Sequence, residues 1–168
     1  NAEIDYARVM YSSSFRRLQG KMQLLIPGSK VFYRNRLTHS LEVSQISRFI
    51  AKNIGMKDTL TVQTCSLAHD LGNPPFGHAG EVVINQLNDK FPYEGNAQTF
   101  RILTNIEDRF CETNGLNLTL RTLLGVVKYP YRKTINHKKF LYNTDYDIVK
   151  EWARLYSISL KTIDCEIM

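Results

Sequence analysis

Apolar positions recur along this chain at three- and four-residue steps, the signature of amphipathic helices, and no stretch reads as a convincing strand. Residues 6–18 carry that spacing at Tyr6, Val9, Met10, Phe15 and Leu18, interrupted by Ser12, Ser13 and Ser14 and stopped at Gly20. Residues 23–30 read as an extended segment closed by the turn pair Pro27 and Gly28. A strong helix is predicted over 35–54, with Val43, Ile46, Ile50 and Ile54 as its buried stripe and Gly55 as its C-terminal cap. His39 lies four residues before Val43 and is expected to share that stripe, with Arg36 one turn behind it. Further helices are predicted over 60–71, 97–110, 117–127 and 145–156, with another beginning in the tail 157–168. Pro74, Pro75 and Gly77 break the chain between the 60–71 helix and a restart near His78. Residues 128–140 (KYPYRKTINHKKF) break the pattern again, with lysines and arginines interleaved among aromatics. The pattern as a whole predicts an all-α protein.

A length of 168 residues suffices for one domain with a sizeable core. The apolar and charged fractions, 43% and 23%, are those of a globular protein. A formal net charge of +6 favours an anionic partner without naming one: a nucleotide, a nucleic acid or simple solubility fits equally. The three cysteines Cys65, Cys111 and Cys165 share no short spacing. That argues against a disulfide framework or a cysteine zinc site and points to a reducing, cytoplasmic compartment. No apolar run approaches the ~20 residues of a membrane helix, so no membrane partner is expected.

The chemistry concentrates in residues 66–81 (SLAHDLGNPPFGHAGE). Two histidines and two carboxylates stand there beside a Gly/Pro turn, and imidazole and carboxylate are the groups that bind divalent metals and shuttle protons near neutrality. Adjacent His69 and Asp70 would diverge by about 100° on a helix, so they share one ion only if it sits between their faces. A His–Asp dipeptide alone is weak; a buried core histidine is the blander account of His39. His78 and Glu81 are three apart on a restarted helix, where the carboxylate could orient the imidazole for acid–base work. A surface capping pair is the plainer alternative. The 128–140 segment could bind single-stranded nucleic acid by charge and stacking, although a solvated loop is the commoner outcome.

The blocks SSSFRRLQGKMQL, RNRLTHSLEVSQISRFIA, LAHDLGNPPFGHAGE, YEGNAQTFRIL and GLNLTLRTLLGVVKYP resemble, in order and spacing, the bacterial dGTP triphosphohydrolase-like family of the HD phosphohydrolase superfamily. The resemblance runs from about Tyr6 to the last residue. It implies an HD-domain helical bundle over residues 1–168 and hydrolysis of a deoxynucleoside triphosphate, dGTP first, to deoxynucleoside and inorganic triphosphate. Carried over by position, it implies His39, His69 and Asp70 as metal ligands and His78 with Glu81 as the catalytic pair. It also implies Arg36 on a substrate phosphate and Gln23 on the deoxyribose. The implied cofactor is a divalent ion, Mg or Mn first, with Fe, Ni or Zn also compatible with two imidazoles and a carboxylate. Relatives of this kind are homo-oligomers, often hexamers, and the same is expected here.

Two departures qualify the resemblance. Many relatives carry histidine three residues after the Asp of the HD pair; Asn73 stands here, able to bond phosphate but not to carry a proton. In the family the aspartate that supplies a fourth ligand follows a phrase similar to Cys165–Met168, where this chain ends. The chain is therefore expected to be the N-terminal part of a longer protein. The competing expectation is a catalytically incomplete module of the same fold that binds nucleotide or nucleic acid. A third keeps the HD chemistry on another phosphate ester, such as a nucleoside monophosphate.

Overall fold

The computed structural model describes residues 1–23, 34–88, 90–107, 114–134 and 138–168. The predicted turn at Pro27 and Gly28, Phe110 and Cys111 lie outside them. The described chain is helical throughout, with two isolated bridges, Met22 to Asn35 and Arg132 to Leu141, in place of any sheet. The helices are α1 (Ala2–Met10), α2 (Ser13–Arg17), α3 (Arg36–Asn53), α4 (Thr59–Ala68), α5 (Gly77–Leu87), α6 (Gly95–Arg101), α7 (Leu120–Val126), α8 (Asn143–Leu155) and α9 (Ile163–Ile167). None is long and apolar enough to cross a membrane.

Helix starts follow the polar residues of the sequence. Ser12, Asn35, Asp58, Glu94 and Thr162 each accept a backbone N–H from the first turn of α2, α3, α4, α6 and α9, satisfying donors that a helix end leaves orphaned. The serine interruption seen in the first apolar pattern is thus the cap that separates α1 from α2. A one-turn 3₁₀ segment, Leu18–Gly20, follows α2. α6 ends early: residues 102–106 widen into a π turn, so the predicted long helix from 97 onward breaks in the middle.

The molecule is assembled around α4. Every residue from Thr61 to Ala68 is buried, as expected of a helix enclosed on all sides. α1, α3, α7 and α9 pack against it, and Val9, Phe15, Leu18, Leu67, Phe100 and Leu124 build the surrounding core. Side chains distant in sequence fasten these helices. Glu107 accepts from the backbone N–H groups of Ser13 and Ser14, and Asp5 accepts from the Thr119 N–H and the Thr122 hydroxyl at the head of α7.

α3 is a correction to the pattern. Its expected core stripe lies in solvent, with Ile46 60% and Ile54 56% exposed. The buried face is instead Arg36, Ser40, Ser44, Ser47 and Ala51. Small side chains let the α3 backbone approach α4 closely, and the branched residues turn outward. His39 is half-buried rather than part of an apolar stripe.

Candidate metal centre

Three chain segments converge on the start of α3. The Arg36 N–H donates to the Lys21 carbonyl at 2.8 Å and Gln23 N–H to the Arg34 carbonyl at 3.0 Å, so the segment after α2 fixes where α3 begins. Asn35 caps the helix through Thr38 at 2.8 Å, which places Arg36 in the first turn and His39 one turn further on. α4 ends at His69, whose backbone is still helical, and Asp70 occupies the turn that follows.

The end of α4 is held from three sides. Lys21 Nζ donates to the Leu71 and Asn73 carbonyls at 3.3 and 2.6 Å. Burial and the nearby Arg17 and Arg36 charges lower its pKa, against the pull of Asp70. Thr99 Oγ1 accepts from Gly72 N–H at 2.9 Å, and the Tyr93 hydroxyl donates to the Gly72 carbonyl. A Cβ at Gly72 would stand 2.2 Å from the Thr99 nitrogen and 2.3 Å from the Gly95 carbonyl oxygen, so only glycine fits beneath α6. Beyond Pro75 the chain adopts left-handed backbone at Phe76 (φ 63°) and Gly77 (φ 56°). A Cβ on Gly77 would meet the Arg36 guanidinium at 2.5 Å. An exposed phenylalanine held left-handed is a strained choice, of the kind found where surrounding structure over-determines a site.

His39, His69 and Asp70 each offer a ligand atom, all within 4.8 Å of one another. Two ligands on opposite sides of an ion with bonds of about 2.0–2.2 Å stand about 4.2 Å apart, so a small contraction would seat a metal. The donor set itself makes the stronger test. His69 Nδ1 lies 2.7 Å from the Ser66 carbonyl oxygen, which makes that nitrogen the N–H and leaves Nε2 as the lone pair. Nε2 faces Asp70 Oδ1 at 3.3 Å, two acceptors turned toward one place, an arrangement that a cation between them would resolve. His39 stacks edge-on to His69 at 5.3 Å between ring centroids. Burial, followed by the His69 charge, lowers the His39 pKa and keeps its imidazole neutral, the form that ligates. Asp70 is buried and already paired: Arg36 Nη1 donates to Oδ2 at 2.6 Å and Asn73 Nδ2 to Oδ1. Two imidazoles and a carboxylate fit a divalent transition ion.

The remaining sequence-derived candidates are placed less uniformly. His78 and Glu81 share one face of α5, with His78 Nδ1 and Glu81 Oε2 at 3.9 Å, beyond hydrogen-bond reach. Glu81 is buried, whereas the His78 side chain is 77% exposed. Gln23 bonds Arg34 through its backbone, and its buried Oε1 has no hydrogen-bond partner among the described residues. Asp164, which the sequence did not single out as a site residue, is bound to Arg121 at 2.9 Å and serves packing of α9 on α7.

Sequence reasoning missed Lys139. Its ammonium lies 3.2 Å from Glu81 Oε1 and 3.1 Å from Glu94 Oε1, joining α5 to the head of α6. Burial alone would lower the Lys139 pKa, but the Glu94 and Glu81 carboxylates outweigh it and raise the value. The only signal was the basic segment that holds it, read there for its overall charge.

A family model for the HD domain matches residues 36–116, from the first turn of α3 through the His–Asp turn to the approach to α7. Over these residues the chain is similar to the HD domain family. It is 55% identical over 166 residues to "Deoxyguanosinetriphosphate triphosphohydrolase-like protein 2" of Vibrio cholerae, a match covering 98% of this chain and 41% of that protein. It is 50% identical over 136 residues to a deoxyguanosinetriphosphate triphosphohydrolase-like protein of Shewanella sediminis (75% of this chain, 30% of that protein). A Rhodopseudomonas palustris protein of the same description is 52% identical over 126 residues, covering 74% of this chain and 31% of its own length. The chain thus spans well under half the length of the relatives it matches. The matched segment contains the adjacent His69 and Asp70, at the end of the enclosed α4.

Proposed function

We propose that this chain is the metal-binding part of an HD phosphohydrolase that hydrolyses a deoxynucleoside triphosphate, dGTP first, to the deoxynucleoside and inorganic triphosphate. The observation that carries the reading is the convergence of His39, His69 and Asp70, with Arg36 bonded to the same carboxylate. A divalent ion held by these three side chains, Mn or Mg in the first instance, would supply Lewis-acid polarisation of a phosphate oxygen. Arg36 brings a planar, permanently protonated fork beside the ligands, suited to offsetting phosphate charge. Asn73, bonded to Asp70, offers a neutral amide for a phosphate oxygen. His78, exposed above a buried Glu81, is open to take a proton from water or to give one to a leaving oxygen. Gln23 completes the substrate contacts as the group reading the sugar. The names of the similar proteins support the substrate class, and residues 1–168 are read as one HD domain of a longer, homo-oligomeric, cytoplasmic enzyme.

The alternative, a nucleic-acid-binding module without turnover, draws less support from the basic segment than its composition suggested. Arg132 is paired with Asp147 and lies over the Tyr146 ring, and Lys139 is held by two buried carboxylates. The deciding experiment mixes the full-length protein with dGTP and Mn²⁺ or Mg²⁺ and separates products by anion exchange. Deoxyguanosine and triphosphate, lost in His69→Ala and in His78→Ala, are expected. Phosphate released from a nucleoside monophosphate but not from dGTP would replace the substrate. Nucleic-acid affinity with a steep salt slope, unchanged in His69→Ala and with no product, would overturn the enzyme reading.

A further inference from the structure

Glu81 is the buried half of the acid–base pair, and its two oxygens are not equivalent. Oε1 is bound to Lys139 at 3.2 Å, while Oε2 is the oxygen turned to His78, 3.9 Å away. Lys139 is itself fixed by Glu94, a fully buried carboxylate at 3.1 Å. Glu94 cannot drift, because it also accepts from the Ala97 N–H at 2.8 Å and the Asn96 amide at 2.7 Å as the cap of α6. The head of α6 is in turn tied to the His–Asp turn, through Thr99 to Gly72 and through Tyr93 to the Gly72 carbonyl. Tyr93 is the residue before Glu94. A path of hydrogen bonds, ion pairs and the α6 backbone therefore runs from the metal-ligand turn through Glu94 and Lys139 to Glu81.

We infer that Lys139, anchored by Glu94, is a positioning residue that turns Glu81 so that Oε2 faces His78, and so sets the acid–base pair in register with the metal ligands. The role is one of geometry: Lys139 acts through Glu81. α5 is also joined to the ligand turn through Phe76 and Gly77, a left-handed pair, and through Asn85, which exchanges two hydrogen bonds with the Tyr93 backbone; these fix the helix but not the rotamer of the Glu81 side chain. A carboxylate without Lys139 could rotate about its own side-chain bonds and present neither oxygen to His78. The ion pair removes that freedom, and the buried second carboxylate keeps the ammonium from leaving for solvent. Two anions sharing one cation also explain why a lysine, with three donors on a compact head, stands here. The inference rests on His78 and Glu81 forming the acid–base pair proposed above.

The test uses the full-length protein and has two independent readouts. Kinetically, Lys139→Met is expected to lower kcat about 10²-fold with KM within about twofold, the size and pattern of a disabled acid–base group. Lys139→Arg is expected to recover most of the loss. In a Glu81→Gln background, where there is no carboxylate to orient, Lys139→Met is expected to change kcat less than about twofold. A full additional loss in that background would overturn the inference. Crystallographically, Lys139→Met is expected to release Glu81 so that its carboxylate turns away from His78; a Glu81 that stays in place would overturn it equally. Lys139→Met leaves two buried carboxylates without a cation, so a Lys139→Met/Glu94→Gln variant, with one of those charges removed, is carried alongside to keep the fold. If the unaltered protein turns over no deoxynucleotide, the proposed function falls, and the crystallographic arm still decides whether Lys139 orients Glu81.

Discussion

The proposed ligand cluster and the proposed acid–base pair stand on neighbouring pieces of backbone, yet they are built in opposite ways. His69 and Asp70 close a helix whose last eight residues are all buried, and each is bonded in place: His69 to Ser66, Asp70 to Arg36 and Asn73. His78 and Glu81 sit on a helix with one face open, the imidazole in solvent and the carboxylate held by a lysine 58 residues away. The difference fits what each is proposed to do. A metal site gains affinity from ligands fixed before the ion arrives, whereas a group that exchanges protons must remain within reach of water and substrate. Rigidity therefore belongs at the end of α4 and access at the start of α5, with the strained Phe76 and Gly77 turn between them.

The sharpest way to break this comparison is to separate the two regions by measurement. Asp70→Ala or His69→Ala is expected to reduce divalent-metal affinity by about 10²-fold or more, since even outer partners of a ligand set are worth 10–100-fold. His78→Ala is expected to leave metal affinity within about twofold while abolishing turnover. Isothermal titration with Mn²⁺ measures both. Equal losses of affinity in the two sets would mean that His78 is part of the ligand cluster, and the distinction drawn above would collapse.

A smaller effect tests the claim that the ligand turn is rigid because it is clamped. Gly72→Ala places a methyl group against the Thr99 nitrogen and Gly95 carbonyl, backbone atoms that cannot rotate aside. Overpacking of this kind costs about 3 kcal/mol, and here the clash falls directly behind the His–Asp turn. Urea unfolding should show the loss, with metal affinity falling alongside. Gly20→Ala, where an added Cβ meets nothing within 4 Å, is the matched control and should leave both nearly unchanged. A turn that absorbed the Gly72 methyl without losing stability would not be the fixed element described.

Much of this architecture was legible in the amino-acid sequence, and the limits have physical reasons. Helix starts are local: Ser12, Asn35, Asp58 and Thr162 each bond a backbone group within three residues, so the chain advertises them. The grouping of His39, His69 and Asp70 was legible only through the family resemblance; spacing alone left His39 as a buried core histidine. The orientation of α3 could not be read. Its branched residues have the right period for a core, but Ser40, Ser44, Ser47 and Ala51 have the same period and allow a closer approach to α4. Periodicity identifies two faces and does not say which is inside. Lys139 was illegible for a different reason: its partners Glu81 and Glu94 come from two other segments, and no local pattern reports such a pairing. Glu107 capping α2 across more than ninety residues belongs with it.

The smallest expected effect is also the finest test of how the ligand cluster is prepared. Burial and the neighbouring His69 lower the His39 pKa below its ordinary value of 6.5. In metal-free protein the unfolded chain then binds a proton at His39 at a higher pH than the folded chain does. Where the unfolded state holds more protons, stability rises with pH. The protein should therefore lose stability as pH falls from 6.5 toward the lowered value, and lose no more from this residue once both states are protonated. His39→Asn removes the group and should flatten that part of the profile, measured by urea midpoints across the window at fixed ionic strength. Saturating metal should flatten it as well, because an ion on the imidazole nitrogen excludes the proton. A slope of opposite sign would mean that the folded site favours imidazolium, with Asp70 outweighing burial, and His39 would then greet a cation already charged.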